Sequence, residues 1–463
     1  MAIRRDRDLI EDLGNIPTEI ISNCIEEHLS GVPRLTKLDN YYIGEHAILT
    51  RETNEEMQLP NNKVVANHAK YITDMATGYV FGKPIKYEGD SVEAITEAFK
   101  LIDIVSHDSE LSKDLSVFGV GLELNFMSSD EVPIPKVTVI DPRHIFLVED
   151  DTVEHKPLFA VHYYEKRDIK NEPIGFSVMV YTETNVTKYF IKEADSTDFE
   201  LIESEPHFYN AVPVVEYSNN EEQQGDFEQQ LSLIDAYNII QSDRVNDKEQ
   251  LVDAILMVKG ISFGDDATEQ AETARMLATH KILELPAADA DAEWLTKTLN
   301  ETQVEVLKDA IKSDIHEFSL IPNLTDENFA SNSSGVAMKY KLFGLEQLAV
   351  IKERYYTQGL RKRLALFSNI LNVKGQASDV SDIVIYMYRN LPEADVSIDE
   401  IVKLIDFVSN ETLLGLLQFV DAPEEEIERV REQLKERSER EQKAFGMPFD
   451  DADVIEDDVK EAE

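Results

Sequence analysis

The stretch SGVAMKYKLFGLEQLAVIKERYYTQGLRKRLALFSNIL, Ser334 to Leu371, holds no proline and repeats apolar residues at helical spacing: Tyr340, Phe343, Leu348, Ile351, Tyr355, Leu360, Leu364, Phe367 and Leu371. Ser333 or Ser334 is placed to cap the first free amides. At about 1.5 Å per residue, a helix from Val336 to Leu371 would be roughly 54 Å long. Seven of its residues are basic (Lys339, Lys341, Lys352, Arg354, Arg361, Lys362 and Arg363) against the acidic Glu346 and Glu353. The chain as a whole runs the other way: 45 Lys and Arg against 91 Asp and Glu give its 463 residues a net charge of −46. A basic rod in so acidic a protein needs a partner, and an acidic face of the same protein is the nearest candidate.

That charge argues against a sequence-reading nucleic-acid binder, whose footprint is a basic patch that neutralises phosphates. It argues equally against an anionic membrane surface. Two readings remain: a soluble, colloidally stable protein, or a surface that meets nucleic acid without sticking to it. With 42% hydrophobic residues the chain can bury about two to four domain cores. The one cysteine, Cys24, lies among Ile21, Ile25 and Leu29. It rules out a disulfide framework and reads as an inert core thiol. No apolar run reaches the roughly 18 residues of a membrane span, and the start lacks the apolar core of a signal peptide.

From the N-terminus, Ile20, Ile21, Cys24, Ile25 and Leu29 share a helical face. Gly31-Val-Pro33 is expected to break that helix, with a second one over Arg34–Tyr42. Three polar-rich strings follow: YYxGxHxIxxR over Tyr41–Arg51, PNNKVVxN over Pro60–Asn67 and, after a helix at His68–Thr77, GYxxGKPIxY over Gly78–Tyr87. Between Val117 and Tyr217 the texture is β, with strands expected at Gly121–Met127, Lys136–Ile140, Leu158–Glu165, Gly175–Tyr181, Val186–Ile191 and Val212–Tyr217. A helix from Phe227 to Leu251 follows; its second half, Gln241–Gln250, is polar all round and must face solvent, a channel or polar neighbours. Residues 254–298 form an excursion with strands at Ile255–Ile261, Lys281–Leu285 and Glu293–Thr298 and a helix at Thr268–Thr279. The only tryptophan, Trp294, reads there as a small-domain core residue or as an anchor in a docking surface. The helix Asn300–Phe318 brings the chain back, with Val304, Leu307, Ile311, Ile315 and Phe318 on one side. Beyond Gly375, Ile383–Tyr388 reads as a strand, Ser397–Glu400 as a capping box, and the acidic tail 449–463 as disordered.

The three strings in this order and spacing resemble the N-terminal third of phage portal proteins, the head–tail connectors of tailed double-stranded-DNA phages, in the branch common in phages of Gram-positive hosts. Ile140–Phe146, Ala211–Tyr217, the run Leu231–Ala254 and above all Ser334–Glu346 resemble the same family, so the likeness covers roughly Leu35–Leu371. It implies an α+β portal fold: a wing of helices and a β-rich region (1–226), stem helices (227–253 and 300–319), and a small α/β clip (254–299). A tunnel loop (320–335), a long wing helix (336–374), a helical crown (375–447) and an acidic tail (448–463) complete it. Asn323, Leu324, Thr325, Asp326, Glu327, Asn328, Phe329, Ser331, Asn332 and Ser333 would be the channel's tunnel loop. Arg275, Lys281 and Trp294 would serve partner docking at the clip, and the basic helix face would pair with acidic faces of adjacent subunits.

By the same likeness the chain forms a ring, usually of twelve subunits, at one capsid vertex, and DNA passes through it without sequence-specific binding. Its partners would be the terminase large subunit, head-completion adaptors, and the major capsid and scaffolding proteins. Neither cofactor nor metal is implied. Gly78–Pro84 differs from a phosphate loop by three residues between its glycines, not four, and by proline where Ser or Thr must bind magnesium. Neither a zinc-binding pattern nor a nucleophile elbow is present. The competing classes are a metal-dependent phage nuclease, which predicts a monomer or dimer, and an acidic scaffold or DNA mimic, which needs no ring.

Overall fold

Helix α1, Thr18–Ile43, runs unbroken through Pro33. The expected break at Gly31-Val-Pro33 is therefore absent, although Pro33 cannot donate to the carbonyl of Leu29. Burial on both sides of the proline explains it. Ile21, Cys24 and Ile25 sit in one core, whereas Leu35, Leu38 and Tyr41 sit in another. Gly44, at φ 95°, ends the helix in the left-handed conformation that suits glycine.

This computed structural model describes residues 2–52, 60–89, 92–193, 196–252, 255–259, 266–271, 275, 291–295, 301–324, 340–376, 379–390, 408–415, 426–427, 429–435 and 437. They belong to two compact units, Met1–Asn390 and Leu391–Glu463. In the second unit, helix residues Asn410–Gly415 are described, with Leu413 buried.

Two sheets form the β-rich part of the first unit. One has six strands in the order β1 (Ile3–Arg5), β5 (Ile145–Asp150), β6 (Pro157–Arg167), β7 (Pro173–Tyr181), β8 (Asn185–Ile191) and β9 (Glu200–Pro206). Only the β1–β5 pair is parallel. The other orders β10 (Val214–Ser218), β3 (Val120–Met127) and β4 (Pro135–Ile140). Strand β5 is buried on both faces, with Phe146 and Val148 towards α1 and Ile145 and Leu147 towards β3. Such a strand loses the polar–apolar alternation by which strands are read. At the opposite extreme, every residue of β9 is exposed.

Helices α2 (His68–Phe81), α3 (Glu93–Lys100) and α4 (Ile104–Phe118) pack behind the three-stranded sheet. Strand β2 (Lys86–Glu88) pairs antiparallel with β13 (Val384–Tyr386), drawing the chain up to Asn390 into this unit. Helix α5, Leu231–Val252, and helix α6, Glu301–Ser319, bracket an antiparallel strand pair, β11 (Ile255–Lys259) with β12 (Asp291–Leu295).

The spine is α7, Phe343–Val373. It begins later than the sequence pattern suggests: helical residues 340–341 are interrupted by a turn at Leu342, where Leu342 packs on the core and Gly344 weakens helix preference. Leu345, Ala349, Tyr356, Leu360, Leu366 and Ile370 join the main core, while Leu364, Phe367 and Leu371 pack with Ile95 and Phe99 of α3. Each such Leu or Phe contributes about 1.5–3 kcal/mol of burial. At Gly359 the helix lies so close to the sheet that a Cβ would meet Tyr217 Cδ1 at 2.2 Å.

Candidate functional site

Each of the three N-terminal strings is tied to a distant helix, the first two to α5 and the third to α7. From the first, Tyr41 donates to Asp235 Oδ1 at 2.6 Å, His46 Nδ1 lies 2.8 Å from Asn238 Nδ2, and Arg51 pairs with Asp243 at 2.7 Å. His46 also stacks on Tyr41 and bonds its carbonyl through Nε2. Burial, outweighing these hydrogen bonds, lowers the His46 pKa and favours the neutral ring.

The second string lies extended along α5. The amide of Asn62 donates to Asn246 Oδ1 at 2.7 Å, that of Val64 to Ser242 Oγ at 3.0 Å, and that of Ala66 to Asn238 Oδ1 at 2.8 Å. Alternate amides of the strap thus meet every fourth residue of the helix. The geometry is commensurate, because four helical residues rise about 6 Å and two extended residues about 6.6 Å. This accounts for one face of the polar second half of α5, where Ser242 and Asn246 serve backbone amides that need acceptors. Asn67 closes the strap by capping α2 through Lys70 N and donating to Tyr42 O.

The third string reaches the spine. Tyr79 donates to Glu346 Oε2 at 2.7 Å, and Arg389 bridges Glu346 and Glu353. Asn390 N donates to Tyr79 O, and a Cβ on Gly82 would lie 2.3 Å from Asn390 Nδ2.

The spine's cations are the clearest departure from the sequence reading. Arg363, taken above as part of an outward basic face, is completely buried; its Nη1 lies 2.7 Å from Asp108 and its Nη2 bonds Glu123. Glu123 also meets His107 Nε2 at 2.8 Å, Tyr356 donates to Asp108 at 3.0 Å, and the guanidinium sits 5.6 Å from the Tyr217 ring centroid. Burial alone would raise the Glu123 pKa, but the charge of Arg363 and the His107 hydrogen bond overcome it and hold it at about 2. Lys352 is likewise internal. Its Nζ meets Asp226 at 2.7 Å, Asn219 at 2.7 Å and Ser116 at 2.8 Å. Burial lowers its pKa against the opposing pull of Asp226. Both are corrected to pins inside one subunit, because a cation removed from water needs a carboxylate beside it.

Of the other basic residues, Arg354, Arg361 and Lys362 are exposed, Lys341 is half-buried, and Lys339 lies outside the described residues. Asn323 and Leu324 are described at the entry to the loop; Thr325, Asp326, Glu327, Asn328, Phe329, Ser331, Asn332 and Ser333 are not. That entry is tied down. Tyr71 donates to Pro322 O at 3.0 Å and accepts from Leu324 N at 3.1 Å, His316 Nδ1 lies 3.0 Å from Ile321 O, and Leu320 takes φ 60°. Arg275 is exposed, Lys281 is outside the described residues, and Trp294 stands opposite Leu256 in the β11–β12 register.

His107, Asp108, Glu123, Tyr217 and Asp226 escaped the sequence reading as members of this cluster. One signal was present: Glu123 and Asn125 interrupt the otherwise apolar strand Val120–Met127, and an ionisable residue in a buried strand calls for a buried partner.

The described part of the chain thus offers internal ion pairs, a strap bonded along α5 and a helix pair around a small strand pair. Among the described residues no group of three or more His, Cys, Asp or Glu could hold a metal ion, and no helix is long and apolar enough to cross a membrane. The family described as "Phage portal protein, SPP1 Gp6-like" matches residues 21–440. The chain belongs to this portal family. The portal protein of Bacillus phage SPP1 is 23% identical over 480 residues, covering 97% of this chain and 92% of that one. The portal protein of Clostridium phage phiCD119 is 23% identical over 418 residues, covering 83% and 89%. A solved chain described as "Neck of empty GTA particle computed with C6 symmetry" superposes with a TM-score of 0.39 and 13% identity, over 75% of this chain and 88% of that one.

Proposed function

We propose that this chain assembles into a ring of twelve copies at one vertex of a phage capsid, where the ring is the passage for double-stranded DNA during packaging and ejection. Membership of the portal family across residues 21–440 carries this reading. Twelve copies at −46 each offer phosphate few cations, so duplex slides instead of binding. Helix α6 supports side-by-side assembly, since it leaves Val306, Leu307 and Phe318 exposed at 66%, 52% and 62%, as a face awaiting a neighbour would. Arg354, Arg361 and Lys362, the spine's exposed cations, meet acidic faces of the adjacent copy, and Lys339 and Lys341, which precede the spine in sequence, serve the same contact.

In this reading residues 323–333 line the channel constriction. The clip, with Arg275, Lys281 and Trp294, docks the terminase large subunit during packaging and head-completion adaptors afterwards. Capsid and scaffolding proteins meet the ring during assembly in the host cytoplasm. The chain performs no hydrolysis of its own. Light scattering of the purified protein tests the ring: a mass near twelve times 52.7 kDa is expected, and a monomer or dimer at every concentration overturns it, favouring a nuclease or an acidic scaffold. Deleting 323–333 is expected to leave rings intact and to abolish DNA packaging. Reversing Arg354 and Lys362 to Glu is expected to reduce the ring fraction without unfolding the subunit.

A further inference from the structure

Strand β9 ends the six-stranded sheet with an unusual edge. It pairs with β8 as Asn185↔Pro206, Val186↔Glu205, Thr187↔Ser204 and Lys188↔Glu203, then shifts register to Tyr189↔Leu201 and Phe190↔Glu200. The shift adds Ile202 as an extra residue, a bulge. Since Val186, Lys188 and Phe190 share one face of β8 by the two-residue period, their partners Glu205, Glu203 and Glu200 share it too. Without the bulge Glu200 would point to the other face. The bulge therefore gathers three glutamates into one acidic rail and leaves Leu201 and Ser204 on the reverse side.

Nothing among the described residues covers this strand: all seven residues are exposed, with Leu201 at 59% and Ile202 at 52%. Among the described residues the sheet order places β8 on one side of β9 and no strand on the other. An exposed edge carrying adjacent apolar residues is a template for strand addition. Its side chains specify the occupant: Glu203 has Lys188 of β8 opposite it, but Glu200 and Glu205 stand opposite Phe190 and Val186, so cations on an added strand would give them the opposite-charge pairs they lack within the sheet.

We propose that the free edge of β9 is a docking site for an extended, basic segment of a partner protein, added as a seventh strand. Lys or Arg at alternate positions would oppose Glu200, Glu203 and Glu205, with apolar residues between them facing Leu201. A second copy of this chain fits poorly. Its excess is acidic, −46 per copy, and joining β9 to the far edge of the next copy's sheet adds roughly 20–25° of twist at every strand. Six strands accumulate that into a winding filament, not a closed ring.

The test uses the full-length protein and a fluorescent peptide of alternating Lys and Val, followed by anisotropy at near-physiological salt and by amide hydrogen exchange. The peptide is expected to bind and to slow exchange at residues 200–206. Two controls hold charge and geometry apart. N-methylation of alternate peptide amides keeps every charge but removes edge hydrogen bonds. The combined variant Glu200→Lys, Glu203→Lys and Glu205→Lys keeps the backbone and reverses the rail. Each is expected to weaken binding about tenfold or more, and the variant is expected to prefer a Glu–Val peptide. Equal binding of the N-methylated peptide, or protection elsewhere, would reduce the effect to diffuse attraction and overturn the proposal. Protection of 200–206 that rises with protein concentration alone would assign the edge to a second copy and overturn it as well.

Discussion

Arg363 and Asp108 stand 255 residues apart in the chain yet meet at 2.7 Å inside the first unit, the guanidinium wholly withdrawn from solvent. The contact fixes α7 against α4, and Glu123, on β3, completes it from the sheet. The consecutive elements α4 and β3 are thereby joined to the distant α7 at one point, by charges too costly to bury separately.

Breaking that point by Arg363→Met should destabilise the protein by about 3–5 kcal/mol, because two carboxylates lose their counter-charge while buried. Urea denaturation measures it. Adding Glu123→Gln and Asp108→Asn to the same chain should restore much of the loss; a single-variant loss under about 1 kcal/mol would mean the cluster is solvated.

Acid should act in two stages. Burial lowers the pKa of His28, His68 and His162 from 6.5 to about 4, with the charges of His316 and Lys312 adding to the effect at His68. A histidine with a lowered folded pKa takes up protons more readily once unfolded, so its contribution is complete above pH 6.5 and declines as pH falls towards about 4. Glu123 follows at lower pH: depressed from 4.5 to about 2, it stabilises fully above pH 4.5 and loses this as pH falls to about 2. His68→Gln should flatten the stability profile between pH 6.5 and 4 and leave the steeper acid limb unchanged; thermal melts across that range decide.

Truncating the strap's acceptors should unmask amides one at a time. Asn246→Ala is expected to speed exchange at the Asn62 amide, Ser242→Ala at Val64 and Asn238→Ala at Ala66, matching the bonds seen. Each should cost about 1–3 kcal/mol, the penalty of an unsatisfied donor. Exchange that quickens uniformly over 60–67 whichever residue is cut would show that the bonds do not act singly.

Gly359→Ala sets two effects against each other. Alanine is the better helix former by about 1 kcal/mol, but its Cβ would sit 2.2 Å from the ring of fully buried Tyr217. Overpacking of a rigid site costs about 1–3 kcal/mol or more, so the variant should melt at a lower temperature. A rise would mean that α7 can move away from the sheet freely.

The parts legible in the sequence were those with a period or a motif. Long apolar stripes announced α6 and the spine, a short one (Leu231, Ile234, Tyr237) the start of α5, and runs of β-forming residues bounded by turns announced β3, β4, β6, β7, β8 and β10. Helices α3 and α4 went unread, and so did β5, whose Ile145–Val148 is apolar throughout because both faces are covered. For β9 the reason is the reverse, since with no face covered it leaves no pattern. The three N-terminal strings marked the family but concealed their contacts, which for the first two lie some 170 to 190 positions later and for the third 267 positions later. The spine's charges misled for a related reason: composition counts cations without revealing which of them turn inward. Lys352 and Arg363 do so, and the aspartates and glutamate that receive them lie far away in sequence.

The strap on α5 behaves like a toothed rack. Its three teeth engage together, and advancing it by a single residue would turn Asn62, Val64 and Ala66 away from the helix at once, releasing all of them. Gradual creep along α5 is therefore closed to it. A displacement of α5 along its axis loads all three bonds together and passes through them to the N-terminal region.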